Sequence, residues 1–497
     1  MAHRKRWISS LLSLLVGGTA LATGALPVAA GTSGPSTPSV RLYSARAHIT
    51  AQHFKGQPAY IDPGILLEAV GGAWQINAAR PDYDHPITAE QVIKTSTGYT
   101  YRPLPTGLVT SLHGMPRFFH VVITDLDGHR VLSHSYTFCP EGTDSRVSPN
   151  GPMNPTYPRG CFTGPFTLGS VWGIDRGWAV SAFGFQGIKL KARNGRYHMT
   201  VSLGHAYAHF FGVPHSQDSV SMSLQLKSGS QGCREICPCP PLCGGGSAGN
   251  HVPAIVNRHG PLGTLPTRGN PDPGTLPDLV ALPAWNIIID HQGSGDFVDF
   301  SATVWDAGPA PMVVEGYRQK GKPVMNAWEY FFKDGKPIGR ARVGTMVYDP
   351  RPGHQHWHFQ QFARYSLLDA TRQNLVVSEK EAFCLAPTDA IDMTRPGAEW
   401  NPYSVGFGSA CGDAGAIWTR ESLPAGWGDT YSQTLPGQSL DITNLANGTY
   451  YIAVKANPAG HLYESDYTNN RQLRQIELGG TPGARTVTVE PWHGINV

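Results

Sequence analysis

Residues 194–203 read NGRYHMTVSL and residues 447–454 read NGTYYIAV. In each, an Asn-Gly turn pair leads into a run that alternates apolar and polar side chains, the period of a strand with one buried face. Shared turn chemistry would also produce two such matches, so the echo serves only to extend β-structure into the first half of the chain. Around both stretches, short runs rich in Val, Ile, Thr, Tyr and Phe are bounded by turn pairs such as Asp127-Gly128 and Asp334-Gly335. Helical periodicity rarely follows them. The expected fold class is all-β, with two β-sandwich-like domains.

Composition agrees. Of 497 residues, 58 are Gly and 41 Pro, and only 15% are charged, which argues against long helices or a coiled coil. With 40% hydrophobic residues, including 12 Trp, 19 Tyr and 18 Phe, the chain can build two or three cores and is not wholly disordered. It begins with a basic HRKR, an apolar ISSLLSLLVGG and a small-residue TALATGALPVAA, the pattern of a secretory signal over 1–30 cut after Ala30. An uncleaved anchor is the rival reading, disfavoured by the Gly-rich core and Pro27. The expectation is a secreted, extracellular protein with no stable membrane span, since no later run of 18 apolar residues exists. The formal charge of +3 falls to about zero once Arg4, Lys5 and Arg6 are removed, so no nucleic-acid footprint remains.

The eight cysteines fall into three groups: Cys139 with Cys161; Cys233, Cys237, Cys239 and Cys243; and Cys384 with Cys411. Export favours disulfides over free thiols. The C-x3-C-x-C-x3-C spacing of the middle group departs from paired zinc knuckles, leaving disulfides ahead of zinc and their connectivity open. The same region is rich in Gly, Pro and Ser and reads as a linker. The expected organisation is a signal at 1–30, an N-terminal β domain at 31–228, the linker at 229–272, a second β domain at 273–480 and a tail at 481–497.

The chemistry concentrates in His354-Gln355-His356-Trp357-His358. A strand with period two places the three histidines on one face, about 6.7 Å apart per step. Three imidazoles suit zinc, copper, iron or nickel, the Irving–Williams order favours copper(II), and a three-histidine set leaves coordination positions open for catalysis. Three ordinary histidines on a polar face are the plainer alternative, and alternation over five residues argues against it. His205, His209 and His215 are loosely spaced and are taken as surface or core residues.

In order along the chain, PDLVALP, GHQHWHFQQFARYSLLDA, KEAFCLAP, GWGDTY and YESDYTNN resemble the landmarks of the lysyl oxidase catalytic domain, over about residues 277–478. The resemblance implies a lysyl oxidase-type β-sandwich, copper held by His354, His356 and His358, and lysine tyrosylquinone made by the chain itself from Lys380 and Tyr431. It implies oxidation of primary amines, including lysine side chains of extracellular proteins, to aldehydes, with molecular oxygen as co-substrate and release of ammonia and hydrogen peroxide. It also implies structural calcium at Asp278, Leu279, Glu464, Asp466, Asn469 and Asn470, whose oxygens are the hard ligands calcium takes; a turn rich in Asp and Asn is the alternative. Asp429, two residues before Tyr431, is the candidate general base if the segment is extended, or else a turn cap. Asp369 is a weaker candidate.

The chain also departs from the animal pattern. Gly353 and Trp427 stand where animal members have cysteines, and Arg351 where they have a fourth histidine. This marks a distant, simpler relative and puts collagen or elastin in doubt as substrate. The competing function is a non-catalytic extracellular metal-binding β-sandwich, an adhesion or binding module, because such ESDxTNN endings also occur outside enzymes. A topaquinone-type oxidase lacks its N-Y-D or N-Y-E tripeptide here.

Overall fold

The computed structural model describes residues 37–491, apart from 230–259 and short stretches at 45, 55, 141–144, 185–186, 262–264, 268–270, 320–321, 352–353, 379–381 and 436–437. The expected signal, the four central cysteines and Lys380 all lie outside the described residues. The fold is all-β, and the one α-helix among the described residues is His205–Phe211. His205, His209 and His215 are exposed on and just after it.

Residues 37–497 form one compact unit with two large hydrophobic clusters. The first is drawn from Val40 to Leu226. Its largest sheet orders His48–His53, Ser219–Ser228, Gly195–Leu203, Met115–Thr124 and Arg130–Phe138. The second runs from Leu279 to Leu478 and takes in Tyr157 and Val171 from the first half. It lies among three sheets. One carries Gly295–Asp306 beside Trp427–Tyr431, and another orders Ala382–Phe383, His356–Gln360, Lys336–Asp349, Val324–Lys333, Met312–Arg318 and Trp418–Leu423. The third holds Ala363–Leu368, Gly448–Ala456 and Arg471–Thr481.

The two N-G-x-Y stretches perform the same local task. The Tyr197 hydroxyl donates to the Arg193 carbonyl at 2.6 Å, and that of Tyr450 to the Ala446 carbonyl at 2.8 Å, each four residues upstream. This is the tyrosine corner of β-sandwiches: it ties the strand start to the preceding turn while the ring enters the core. Tyr450→Phe keeps the ring and loses the bond, so it is expected to cost about 1 kcal/mol, read as a lowered urea midpoint with unchanged slope.

The halves meet at the edge of the tyrosine-bearing sheet. Ala390 N–H donates to Phe162 O at 2.9 Å, Leu168 N–H to Ile391 O at 2.6 Å, and Met393 N–H to Gly169 O at 2.9 Å. Residues 162–169 thus extend the sheet past Asp389–Ala390, covering an edge that would otherwise expose unpaired backbone. Trp427 fills this seam. Its ring lies 5.6 Å from that of Phe162 and its indole N–H donates to Glu399 O at 2.6 Å.

Candidate metal and amine site

In the strand His356–Gln360 the period of two sends Trp357 and Phe359 into the core, where burying Phe359 alone contributes about 2–3 kcal/mol. The opposite face carries His356 and His358. Trp357 is further fixed by its N–H to Cys411 O at 2.9 Å and its indole N–H to Asp413 O at 2.8 Å. His354 departs from the expected extended alternation because it precedes the strand. Its N–H donates to Arg351 O and its carbonyl accepts from His356 N–H, so the chain turns there. An extended run would set His354 and His358 about 13 Å apart, whereas their ring centres are 5.5 Å apart, with 6.0 Å between His354 and His356 and 4.6 Å between His356 and His358. Ligand atoms of all three lie within 4.8 Å of one another. This is a donor set that fits a copper or zinc ion.

Asp349, which the sequence reading missed, faces these rings. Antiparallel register sets it opposite His356, and its Oδ2 lies 3.7 Å from His358 Nδ1 and 3.9 Å from His354 Nδ1. Arg351 donates to both carboxylate oxygens and holds the Asp349 carboxyl well below the usual range. Arg351 therefore favours the ionised carboxylate beside the histidines. The signal was local: an acid two residues before an arginine, at the end of a strand that pairs with the histidines.

A cavity of about 530 Å³ opens at this face, lined by His358, Asp349, Gln360, Ser378 and Ala382 among others. That volume accommodates an alkylamine chain. Ser378 and Ala382 precede and follow residues 379–381 in sequence, and Lys380 itself lies outside the described residues.

Tyr431 ends the strand Trp427–Tyr431 with its ring buried edge-on to Phe383 at 4.8 Å, and its hydroxyl donates to Cys384 O at 2.7 Å. The Cys384–Cys411 disulfide joins this segment to the loop on which Trp357 rests. A closed loop of 27 residues is worth about 3.5 kcal/mol in the chain-entropy model. Cys139 is likewise bonded to Cys161. Asp429 is buried two positions from Tyr431 on the same strand face. Burial, and then the charge of Asp429, push the Tyr431 phenol up.

Glu421 was not singled out in the sequence either. It is fully buried, accepts from Leu385 N–H at 3.2 Å, and has the Phe359 N–H directed at it as well. It thus links the histidine strand to the segment carrying Cys384. Burial, with the nearby charge of Asp429, raises its carboxyl well above the ordinary value. No motif marked Glu421, because its pocket is assembled from three distant segments. Asp369 belongs elsewhere: its Oδ1 caps a turn, accepting from Thr371 N–H and Oγ1 and from Gln373 N–H.

The second predicted cluster also assembles. Asn469 Nδ2 donates to Asp278 Oδ1 at 3.0 Å, Asn470 Nδ2 to Glu464 Oε1 at 2.8 Å, and Leu279 N–H to Glu464 Oε2 at 2.8 Å. The side-chain oxygens of Asn469 and Asn470 are buried and accept no hydrogen bond. Burial raises the Asp278 carboxyl, with the Asp466 charge adding to it. Asp466 itself accepts from Thr468 N–H and Oγ1. The three carboxylates are more widely set than the histidine ligand atoms. The other close triad among the described residues, Asp125, Asp127 and His129, is an exposed hairpin turn in which Asp125 bonds its own backbone.

The model of the lysyl oxidase family matches residues 344–487. Over 142 residues, 28% of this chain, the sequence is 34% identical to a protein-lysine 6-oxidase of Sus scrofa and 35% identical to that of Homo sapiens, covering 51% and 30% of those proteins. Over 137 residues it is 30% identical to lysyl oxidase homolog 4 of Mus musculus, covering 16% of it. The match therefore spans about half or less of these relatives. Residues 344–487, which match the lysyl oxidase family, contain the three histidines, Lys380, the Cys384–Cys411 pair and Asp429–Tyr431.

Proposed function

We propose that this chain is an exported, copper- and quinone-dependent amine oxidase acting on peptidyl-lysine or other primary amines, with 273–480 as its catalytic domain. The observation that carries this reading is the convergence of the ligand atoms of His354, His356 and His358 within 4.8 Å of one another, with His358 lining a cavity. Once present, copper at His354, His356 and His358 and a quinone built from Lys380 and Tyr431 supply an electrophile that accepts two electrons and returns them to oxygen. The net reaction turns R–CH2–NH2, oxygen and water into R–CHO, ammonia and hydrogen peroxide.

The chain's own groups do the rest. A protonated lysine amine of pKa near 10.4 must lose its proton to react, which at pH 7 takes about 4–5 kcal/mol of differential stabilisation. The buried Asp429 carboxylate would accept a proton from the substrate's α-carbon. Glu421, retaining its own proton, would leave the negative charge on Asp429. The Cys384 carbonyl orients the Tyr431 hydroxyl, and Phe383, itself packed on Phe362 and Tyr365, stands edge-on to the Tyr431 ring.

The test is a peptide map by mass spectrometry of protein secreted with copper and oxygen. A covalent link between the Lys380 and Tyr431 peptides is the expected result. Both peptides unmodified in a copper-loaded sample would leave the non-catalytic metal-binding module as the better reading.

The same proposal places a structural calcium ion at Asp278, Leu279, Glu464, Asp466, Asn469 and Asn470, supported by the two buried amide oxygens that accept nothing from the protein. A chelator is expected to lower unfolding stability by about 3 kcal/mol if calcium was near a hundred times its dissociation constant. Asp278→Asn should abolish that sensitivity, and an identical melting curve with and without chelator would remove calcium from the reading.

A further inference from the structure

The contact between the two halves covers one sheet of the N-terminal half only in part. That sheet orders Gly169–Ile174, Trp74–Ala79, Thr88–Lys94 and Tyr99–Pro103. Its antiparallel register aligns Val171, Asn77, Glu90 and Pro103 in one row, with Gly169, Ala79 and Thr88 in the row to one side and Val92 and Tyr101 in the row to the other. Opposed residues share a face and rows two apart repeat it, so all of these lie on one side of the sheet. The second half closes on that side at Gly169, where a Cβ would collide with the Asp392 and Thr394 side chains, and Val171 joins the second core. Toward Tyr99–Pro103 the same side stays open, with Tyr99 and Tyr101 57% and 58% exposed.

A cavity of about 500 Å³ lies at this boundary, lined among others by Asn77, Thr88, Glu90, Tyr101, Pro103 and, from the second half, Thr394. Thr394 is a fixed wall, because Asp392 Oδ1 accepts from its N–H at 3.0 Å and its hydroxyl at 2.6 Å. Glu90 is half-buried and makes no hydrogen bond or ion pair with any described residue. Burial raises its carboxyl, as it does for any carboxylate that has lost water and gained no cation. The edge beside it is also unpartnered, since no strand pairs beyond Tyr99–Pro103 among the described residues. Leu104 N–H donates to Ala89 O and Thr95 N–H to Gly98 O. By the alternation of an antiparallel ladder, Thr100 and Arg102 then bond inward, while Tyr99, Tyr101 and Pro103 turn their backbone groups outward.

We propose that this edge takes an extended polypeptide segment as an added strand, and that the cavity takes one of its lysine side chains, with the ammonium on the Glu90 carboxylate. The backbone groups of Tyr99 and Tyr101 supply the ladder, and Pro103, which has no N–H, still offers its carbonyl. A peptide residue beside Pro103 presents its side chain on the cavity face. It lies two strand spacings, about 9.6 Å, from the strand that carries Glu90. A four-carbon lysine stem and the two side-chain carbons of the glutamate bridge that distance over the short Pro103 ring, and the Tyr101 ring covers the apolar stem. The site belongs to the N-terminal half and does not rest on the amine-oxidase reading; under that reading it is a second, non-catalytic lysine site.

The experiment uses the full copper-loaded chain and a fluorescein-labelled Thr-Val-Thr-Lys-Thr-Val-Thr peptide whose lysine is dimethylated, which keeps the charge and one N–H but cannot form a Schiff base. Fluorescence anisotropy reads affinity, and hydrogen exchange of 98–104 reads the edge. Glu90→Gln should weaken binding about fivefold. The same peptide with acetyl-lysine should bind wild type and Glu90→Gln alike, at the weaker level. The dimethyl-lysine peptide should slow two amides in 98–104, those of Tyr99 and Tyr101, about tenfold, and n-butylamine should slow neither. Equal affinity of wild type and Glu90→Gln for the dimethyl-lysine peptide overturns the proposal, as do bound peptide and unslowed amides. Binding lost in His356→Ala but kept in Glu90→Gln would put the peptide at the amine site and overturn it too. Slow exchange at the edge before peptide is added, in a chain that sediments as a dimer, would give the edge to a second copy and overturn it likewise.

Discussion

Replacing His356 by alanine is expected to remove copper and peroxide production together. His356 is half-buried and shares its face with His354 and His358. Its loss takes one of three imidazole donors and should lower metal affinity by orders of magnitude, with amine turnover falling about a thousandfold or more. The core should survive, because Trp357 and Phe359 point the other way and keep their contacts. The measurement is metal content by atomic spectrometry alongside peroxide release and the melting curve. Copper retained at one ion per chain in the variant would contradict the three-histidine site. Copper lost with amine turnover intact would contradict the metal's part in making the cofactor.

Lys380→Arg is expected to abolish peroxide release while copper stays bound. Arginine keeps the charge and nearly the length, but its guanidinium remains protonated at any working pH and cannot supply the neutral amine that a covalent bond to an oxidised Tyr431 ring requires. The three histidines are left unaltered, so the metal content should match wild type. The readout is the cross-linked peptide, peroxide release and copper in one preparation. Full peroxide release from Lys380→Arg would refute the quinone assignment. A silent wild type with bound copper would favour the binding module.

Local pattern carried a good deal of this protein. Alternation in HWHFQ identified a strand with a histidine face and a core face, and the tyrosines of the two N-G-x-Y turns make the same backbone bond. The resemblance to lysyl oxidases, borne by motifs in fixed order, matches the family found over residues 344–487. The same reading placed His354 on an extended strand, where it would sit far from His358. The turn at Arg351–His354 brings it back, and that turn depends on backbone bonds that alternation does not encode.

What the sequence by itself determined is what local chemistry dictates: an all-β chain, three histidines at close spacing, and the grouping of Cys384 with Cys411. Only the tertiary structure decided the company these residues keep. Asp349 faces the histidines through strand register, and Glu421 joins the Leu385 and Phe359 backbones from a strand more than 35 residues away from either. The N-terminal half reaches Asn401 across 244 residues of chain. Such contacts form because burying the seam and satisfying its backbone outweighs the entropy of closing so long a loop, an energy spread over two cores and written in no single motif.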